Sequence, residues 1–433
     1  MQIPHEIIKA YDIRGIVGKT LTPEIVEAIG QALGSEATMR RQTQICIGYD
    51  GRLSGPELAA ALSRGIRKTG IHVINLGMVA TPMVYFAAHH LDTHCGVMVT
   101  GSHNPPDYNG LKMVLAGETL SGETIQGLRQ RIISNQLFEG QGSESNYDIA
   151  ADYIARISSD IQLNRRMKIA VDCGNGVAGA YAKTLYEAIG CEVEELFCEV
   201  DGHFPNHHPD PSVPENLTDL INTLKLGDAE IGLAFDGDGD RLGVVTKDGN
   251  IIYPDRQLLL FAAEVLKQNP AATIIYDVKS TRHLAPWITA RGGNPLIWKT
   301  GHSLVKAKIR ETGAALAGEM SGHVFFNDNR GEKKRWYGFD DGLYAGARLL
   351  EILSQSDDAS TVLNMLPDSV STPEQHIHMQ EGEPHTLIAA LQKTATFEGA
   401  KQVITIDGLR VEYADGFGLM RPSNTTPVIV LRF

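Results

Sequence analysis

The apolar positions in the first hundred residues fall into short runs separated by helical patterns. Each run has the length of a buried strand and is bounded by residues that favour turns. The runs that predict strands cover 44–49, 71–76 and 96–99. Because they alternate with helices, the pattern favours a mainly parallel sheet with helices on both faces.

Two helices are predicted between these strands from their end signals. Thr22 is typical of a helix N-cap, Pro23 of the first helical position, and Gly34 of the residue that ends a helix. Ser54 likewise predicts the start of a second helix, which we expect to run to Gly70.

The pattern of a strand followed by a polar loop then returns twice, at an interval of about 100 residues, which is the size of a small domain. Strands are predicted at 167–172, 231–235, 273–277 and 314–317. We interpret the recurrence as an internal repeat of three consecutive mixed or parallel α/β domains. These domains are predicted to cover 1–148, 149–249 and 250–367.

The alternation of strands and helices stops near residue 367. Apolar segments at 403–406 and 409–413 flank Asp407-Gly408, which is a hairpin signal, and 428–433 predicts a last strand. We therefore expect 368–433 to form a smaller C-terminal α+β domain with an antiparallel sheet.

Composition and charge restrict the class of protein. With 433 residues, 42% hydrophobic and 21% charged, the sequence is typical of a globular protein, and its formal charge of −13 argues against a nucleic-acid partner. No apolar run approaches the roughly 18–20 residues of a membrane span, and residues 1–6 do not resemble a secretory signal. Five scattered cysteines read as reduced thiols. These features predict a cytoplasmic protein with no membrane partner.

The motif DGDGDR at 236–241 is the strongest chemical signal. Asp236, Asp238 and Asp240 alternate with glycines that allow the backbone to curl, so three carboxylates can surround one hard cation such as Mg²⁺. Without a cation, their mutual repulsion should raise their pKa values. An EF-hand calcium loop is the rival, but its twelfth position, counted from Asp236, holds Lys247 in place of glutamate.

The motif TGSHNP at 100–105 follows the predicted strand at 96–99. A hydroxyl beside an imidazole makes Ser102 a candidate nucleophile, with His103 as its neighbour. The alternative is a turn whose side chains only bond their own backbone.

Two further loops offer groups that could hold a phosphate and a sugar. RPSNTTP at 421–427 combines a guanidinium, hydroxyls and turn N–H groups, which suit a phosphate dianion. GEMSGH at 318–323 combines a carboxylate, a hydroxyl and an imidazole, which suit sugar hydroxyls. A serine-rich turn and a capped strand-to-helix turn are the structural alternatives. The loop FPNHHPDP at 204–211 we interpret as a rigid proline loop, in preference to a metal site.

Taken together, TGSHNP, DGDGDR, GEMSGH and RPSNTTP, in this order and with one motif in each predicted domain, resemble the α-D-phosphohexomutases. The resemblance is nearest to the bacterial phosphomannomutase/phosphoglucomutase group. It implies four domains around a central cleft and the interconversion of hexose 1-phosphate and hexose 6-phosphate through a hexose 1,6-bisphosphate, which also serves as activator.

The resemblance also implies roles for individual residues. Ser102 would carry the phosphoryl group and, with Asp236, Asp238 and Asp240, would bind Mg²⁺. Arg241 would contact the phosphoserine or the group in transfer. Glu319 and Ser321 would bind sugar hydroxyls. The phosphate that does not react would be bound by Arg421, Ser423, Asn424 and Thr425. The other residues that would line the cleft are Tyr11, Arg14 and Lys279.

Several alternatives stay open from the sequence. Lys112, His302 or His323 would move the hydroxyl proton. A Mg²⁺-dependent sugar phosphatase or phosphotransferase, a phosphoglucosamine mutase, and a sugar-phosphate sensor without activity are the rival functions. We expect a small phosphosugar as the partner, glucose or mannose as the hexose, and a monomer or weak dimer.

Overall fold

The chain folds into four successive units, each built around its own sheet. The structure is a computed structural model that describes residues 3–380, 382–424 and 426–433. Within these residues, 3-10 turns lie at His5–Ile7, Val177–Ala180 and Pro214–Leu217.

The first unit contains a mixed sheet flanked by helices. Its strands are β1 (Ile13–Ile16), β2 (Gln44–Tyr49), β3 (His72–Met78), β4 (Gly96–Val99), β5 (Tyr108–Leu115), β6 (Glu118–Thr119) and β7 (Glu144–Asn146). Its helices are α1 (Pro23–Met39), α2 (Gly55–Arg67), α3 (Thr81–His90) and α4 (Gly122–Ile133). The order is β1-β5-β4-β2-β3-β7; β5 is antiparallel to both its neighbours, whereas β4, β2, β3 and β7 are parallel.

The second unit has the sheet order β12-β11-β10-β8-β9. Its elements are α5 (Ala150–Asp160), β8 (Lys168–Asp172), α6 (Ala182–Ala188), β9 (Glu192–Leu196), α7 (Thr218–Leu226), β10 (Ile231–Phe235), β11 (Leu242–Thr246) and β12 (Ile251–Ile252). Parallel pairing of β10 with β8 places the loops that follow both strands at one edge.

The third unit has the sheet order β14-β13-β15-β16 and a small ribbon of β17 and β18. Its helices are α8 (Pro254–Gln268), α9 (Leu284–Ala290), α10 (His302–Thr312), α11 (Gly342–Leu353) and α12 (Ala359–Asn364). Its strands are β13 (Thr273–Asp277), β14 (Asn294–Trp298), β15 (Leu316–Gly318), β16 (Val324–Phe326), β17 (Asn329–Arg330) and β18 (Lys333–Lys334).

The C-terminal unit is an antiparallel sheet with one described helix. Its elements are β19 (Gln375–His378), α13 (Glu383–Thr394), β20 (Gln402–Ile404), β21 (Leu409–Glu412), β22 (Phe417–Pro422) and β23 (Val428–Arg432). The order β19-β23-β22-β21-β20 contains the hairpin predicted around Asp407-Gly408. The fold class, three mixed α/β units followed by a smaller α+β unit, is therefore confirmed.

Two predicted helix ends are wrong. Helix α1 begins as expected, with Thr22 accepting from the N–H of Ile25, but it continues past Gly34 to Met39. Gly34 is there because α1 packs closely against the end of α2: a Cβ at this position would come within 3.0 Å of the carbonyl oxygen of Ile66. Helix α2 ends at Arg67, three residues before Gly70.

A continuous apolar core joins the first three units. It includes Met83 and Phe86 of α3, Tyr186 of α6, and Trp336 and Leu343 near the start of α11. All residues of α11 are buried, and the helix packs against strands of both the second and the third unit. Of the residues that the structure describes, no stretch of helix is both long and apolar enough to cross a membrane. The five cysteines are free thiols.

Candidate active site

Ser102 lies in the loop after β4, at the base of a cleft between the units. Its φ of 52° places it in the left-handed region, and the residue is 1% exposed. The Ser102 hydroxyl oxygen lies 3.2 Å from His103 Nδ1 and donates to Asp236 Oδ2 at 3.2 Å. The hydroxyl of Thr100 accepts from the Ser102 N–H, as expected for a turn whose side chains bond their own backbone. The hydroxyl of Ser102, however, faces residues 236–241, which we call the aspartate loop.

The aspartate loop follows β10 and curls around its own carboxylates. Asp236 Oδ1 accepts from the N–H groups of Asp240 and Arg241, each at 3.1 Å, and Gly239 makes the turn with a φ of 76°. Ligand atoms of Asp236, Asp238 and Asp240 lie within 4.8 Å of one another, and all three residues are 0% exposed. Asp238 Oδ1 has no hydrogen-bond partner within the described residues, so a free oxygen donor suited to Mg²⁺ remains in the cluster.

Two side chains of the first unit bind this loop. Lys112 Nζ on β5 donates to Asp238 Oδ2 at 2.7 Å and to Asp240 Oδ2 at 2.5 Å. Thr81, the first residue of α3, donates from its hydroxyl to Asp238 Oδ2 at 2.5 Å. The two units therefore meet at the carboxylates themselves.

The carboxylates titrate differently from one another. Burial and the charges of Asp238 and Asp240 hold the pKa of Asp236 well above its usual range. Although burial opposes it, the ammonium of Lys112 holds the pKa values of Asp238 and Asp240 below their usual range. The expectation that all three would shift upward is wrong for these two, because a lysine distant in sequence supplies the compensating charge.

The loop after β15 brings a carboxylate and an imidazole to the same cleft. Glu319 accepts from the N–H of Gly301 at 2.5 Å. Ser321 Oγ lies 2.8 Å from His323 Nδ1, and His323 Nε2 lies 3.3 Å from Asp240 Oδ1. Burial opposes the charge on His323, but the neighbouring Asp240 raises the pKa of His323 to about 9. The imidazole is therefore protonated near neutral pH.

His302, the first residue of α10, has the opposite character. Its ring lies edge-on to that of Tyr11, with centroids 5.2 Å apart, and within the described residues neither ring nitrogen has a hydrogen-bond partner. Burial and the ammonium of Lys306 hold the pKa of His302 well below its usual range. His302 is thus a neutral imidazole with a free acceptor. Burial and Arg241 similarly lower the pKa of His103.

The C-terminal unit contributes the predicted phosphate loop. Arg421 Nε donates to Asp407 at 3.1 Å, whereas its Nη2 atom is buried and has no partner among the described residues. Asn424 donates to the carbonyl of Thr300 at 3.3 Å, which joins this loop to the turn before His302. Ser423 accepts from the N–H of Thr426 at 3.3 Å. Thr425, also predicted here, lies outside the described residues.

The remaining predicted residues surround the same space. Arg14 donates to Asn104 at 2.8 Å and to Asp12 at 2.6 Å, beside the Ser102 loop. Arg241 Nε lies 3.7 Å from Asp236 Oδ2. Lys279 forms an ion pair with Glu374 at 2.8 Å, at the entry to the C-terminal unit.

Comparisons with known proteins agree with this geometry. The phosphoglucomutase/phosphomannomutase α/β/α domains I, II and III and the C-terminal domain of the same family match residues 5–138, 151–249, 253–370 and 379–433. The chain belongs to the phosphoglucomutase/phosphomannomutase family. The domain boundaries drawn from the sequence stay predictions.

Named relatives of this family member are similar over the whole chain. A phosphoglucomutase of Neisseria meningitidis serogroup A is 61% identical over 435 residues, which cover 100% of this chain and 93% of the relative. A phosphomannomutase/phosphoglucomutase of Pseudomonas aeruginosa is 56% identical and is covered to 92%. A crystal structure of a phosphoglucomutase/phosphomannomutase family protein from Burkholderia thailandensis superposes with a TM-score of 0.94 at 59% identity, covering 100% of this chain and 93% of that one.

Sequence reasoning missed two charged residues of this site, the buried Asp340 and the half-buried Lys306. Asp340 Oδ1 accepts from Lys306 at 2.7 Å, and Asp340 Oδ2 lies 3.8 Å from His302 Nδ1 and 3.9 Å from His323 Nε2. The position of Lys306, one helical turn after His302, was the only sequence signal for this pair. Nothing in the sequence around Asp340 predicts that it lies between His302 and His323, which are separated from it along the chain.

The loop at 204–211 lies beside the site without joining the acidic cluster. His207 Nε2 lies 3.0 Å from Asp172 Oδ1, at the end of β8. Among the described residues, the groups that could hold a metal ion are Asp236, Asp238 and Asp240, and Asp240 with His323 and Asp340; neither includes His207 or Asp210.

Proposed function

We propose that this chain is a phosphohexomutase that interconverts the 1-phosphate and 6-phosphate of glucose, mannose or both. Transfer runs through phosphorylated Ser102 and a hexose 1,6-bisphosphate. The observation that carries the proposal is the 3.2 Å contact between the Ser102 hydroxyl and Asp236, which joins a nucleophile to a buried carboxylate cluster. The names of the relatives from Neisseria and Pseudomonas support it.

Asp236, Asp238 and Asp240 are the residues that would hold Mg²⁺, since their carboxylate oxygens are hard donors that lie close together in a buried site. When bound, the cation would offset the negative charge of the phosphoryl group in transfer. Ser102 accepts and returns that group, and Arg241 positions it through a guanidinium fixed beside Asp236.

The substrate is held by residues from opposite sides of the cleft. Glu319 and Ser321 bind sugar hydroxyls. The buried and unpaired Nη2 of Arg421 supports its role in gripping the phosphate that does not react. The other phosphate-binding and cleft-lining residues of the proposal are Ser423, Asn424, Thr425, Tyr11, Arg14 and Lys279.

The three candidates for proton transfer differ in their charge. Lys112 is an ammonium bound by two carboxylates, which raise its pKa although burial opposes them, so it is poorly suited to accept a proton. His302 is neutral and has free ring nitrogens, which suits the removal of the hydroxyl proton. His323 carries a proton near neutral pH and can donate one.

The proposal is tested by measuring conversion of glucose 1-phosphate and mannose 1-phosphate to the 6-phosphates, with Mg²⁺ and with the bisphosphate as activator. We expect Ser102→Ala to abolish turnover, because no other hydroxyl occupies its position. Ser158→Ala, which changes a partly exposed serine whose hydroxyl donates to the carbonyl of Ala155, is the matched control. Release of inorganic phosphate without sugar 6-phosphate would show a phosphatase, and near wild-type mutase rates in Ser102→Ala would contradict the assignment.

We also propose that the protein is a monomer or weak dimer in the cytoplasm. Light scattering of the purified chain over a range of concentrations tests the first part, and fractionation of the source cells tests the second.

A further inference from the structure

One arginine underlies the whole loop that carries Ser102. Arg52 lies in the turn between β2 and α2, far from Ser102 in sequence, and is 1% exposed. Its guanidinium donates to four backbone carbonyls of the loop. These are Pro105 at 2.5 Å and Tyr108 at 2.9 Å from Nη1, and Ser102 at 2.8 Å and Asn104 at 2.6 Å from Nη2.

An arginine suits this position because of its planar set of N–H donors. The segment between β4 and β5 has no regular secondary structure, so its buried carbonyls need donors from elsewhere. A guanidinium presents five N–H groups in one plane, whereas a lysine ammonium is a point charge that cannot reach four acceptors at once. Arg52 thus supplies the hydrogen-bond donors that a neighbouring strand would supply to these carbonyls in a sheet.

Asp50 connects Arg52 to the backbone of Ser102. Its Oδ2 atom lies 3.3 Å from Arg52 Nε and accepts from the hydroxyl of Thr100 at 2.7 Å. The same threonine oxygen accepts from the N–H of Ser102 at 2.7 Å. The contacts from Asp50 and Arg52 therefore hold both the N–H and the C=O of the nucleophile.

The surroundings leave this arrangement little freedom. A Cβ at Gly101 would lie 2.5 Å from the central carbon of the guanidinium, so the loop backbone rests directly on it. Phe204 of the second unit covers the guanidinium, with its ring centroid 5.2 Å from Cζ. Ser102 itself has the unfavourable φ of 52°, which the surrounding contacts must maintain.

We infer that Arg52 is a positioning residue for phosphoryl transfer, because its four hydrogen bonds hold Ser102 Oγ toward Asp236. The inference rests on the proposed function. Arg52 itself does not touch the phosphoryl group; it fixes the backbone from which the nucleophile extends. Phosphoryl transfer depends mainly on positioning, so a loop that is free to shift should lose rate while the folded protein still binds substrate.

The test uses two variants of the full chain. Arg52→Lys keeps the charge opposite Asp50 but not the planar donor set. The double variant Asp50→Asn with Arg52→Met removes both charges, and its asparagine can still accept from Thr100. We expect both to fold and to retain the wild-type KM. The rate at which hexose 1,6-bisphosphate phosphorylates Ser102, followed by mass spectrometry, and kcat should each fall about 100-fold.

The matched control is Arg348→Met with Asp328→Asn, which removes another fully buried pair, 2.8 Å apart, that makes no contact with the Ser102 loop. Its phosphorylation rate should equal that of the wild type. A wild-type rate in either Arg52 variant would overturn the inference. So would loss of folding in both, since Arg52 would then stabilise the domain in general. A wild-type protein that accepts no phosphoryl group would instead contradict the proposed function.

Discussion

At the scale of residues, Lys112 shows how one charge serves two units. It extends from β5 of the first unit, is 3% exposed, and bonds Asp238 and Asp240 of the second. Its ammonium offsets two buried carboxylates that otherwise repel each other. The same charge opposes a cation that approaches the aspartate loop.

Replacing Lys112 by methionine should therefore strengthen Mg²⁺ binding. We expect the dissociation constant of Mg²⁺, measured by calorimetry, to fall about tenfold, which corresponds to about 1.4 kcal/mol. Addition of Mg²⁺ should raise the melting temperature of the variant more than that of the wild type, because the cation then relieves more repulsion between the carboxylates. Lys267→Met, in an exposed pair with Glu264, is the control and should change neither quantity. Weaker Mg²⁺ binding in Lys112→Met would contradict this account.

A second residue-scale prediction concerns Asp341, the N-cap of α11. Its carboxyl accepts from the N–H of Tyr344 at 2.9 Å and from the hydroxyl of Tyr153 at 2.8 Å, and burial raises its pKa to about 8. Between about pH 4, the unfolded pKa, and pH 8, the folded protein keeps a proton that the unfolded chain releases. The stability from this group is therefore present at low pH and is lost as the pH rises toward 8.

Asp341→Asn cannot ionise and remains a good N-cap. We expect its free energy of unfolding, from urea titrations at several pH values between about 5 and 8, to fall less with rising pH than that of the wild type. Asp357→Asn changes an exposed aspartate near the end of the same unit and should leave the wild-type slope. A slope as steep as that of the wild type in Asp341→Asn would show that Asp341 is already ionised in the folded protein.

At the scale of elements, the pair α1 and α2 depends on glycines inside helices. A Cβ at Gly65 of α2 would overlap the carbonyl oxygen of Glu27 on α1, and one at Gly30 would overlap the carbonyl oxygen of Leu62. The backbones of α1 and α2 are thus in direct contact. The residues that signal helix ends in the sequence cannot reveal such a contact. Gly34 therefore does not mark the end of α1, although its sequence position predicted that it would. A glycine is present there because the two helices pack closely.

Gly65→Ala should destabilise the fold even though alanine is the better helix former. The gain in helix propensity is about 1 kcal/mol, whereas forcing the helices apart costs about 1–3 kcal/mol or more. Gly127→Ala on the exposed face of α4, where an added Cβ meets nothing within 4 Å, is the control and should be neutral or stabilising. Urea unfolding measures both. Equal stability gains in the two variants would show that α1 and α2 can separate without cost.

At the scale of the whole molecule, the C-terminal unit is attached to the third unit mainly by arginines that bind backbone carbonyls. Arg410 donates to Val278 at 2.7 Å and to Ser280 at 2.5 Å, and Arg432 donates to Lys279 at 2.6 Å. The apolar core of the first three units includes no described residue of the C-terminal unit. The unit that carries Arg421 is therefore held by polar contacts, which break at a lower cost than a shared core.

Arg410→Met should loosen this attachment by about 2 kcal/mol, the usual value of a hydrogen bond to a charged donor. We expect faster proteolysis in the connecting segment 366–374 and a higher KM for the phosphosugar, because the phosphate loop is less often in place. Arg291→Met, which stacks on Trp287 within the third unit, is the control. Unchanged proteolysis and KM would show that other contacts hold the unit.

The amino-acid sequence by itself determined the repeated α/β pattern, the order of the four loops and their chemical types, because strand ends and turn chemistry are local properties. It also predicted that these loops would meet, and the contacts from Ser102 to Asp236 and from His323 to Asp240 agree.

Only the tertiary structure decided which charges compensate one another. Lys112 lowers two aspartate pKa values, Lys306 pairs with Asp340, and Arg52 supports the Ser102 loop, each across a long stretch of chain. Charge states and loop positions depend on burial and on partners distant in sequence, and a linear pattern contains neither.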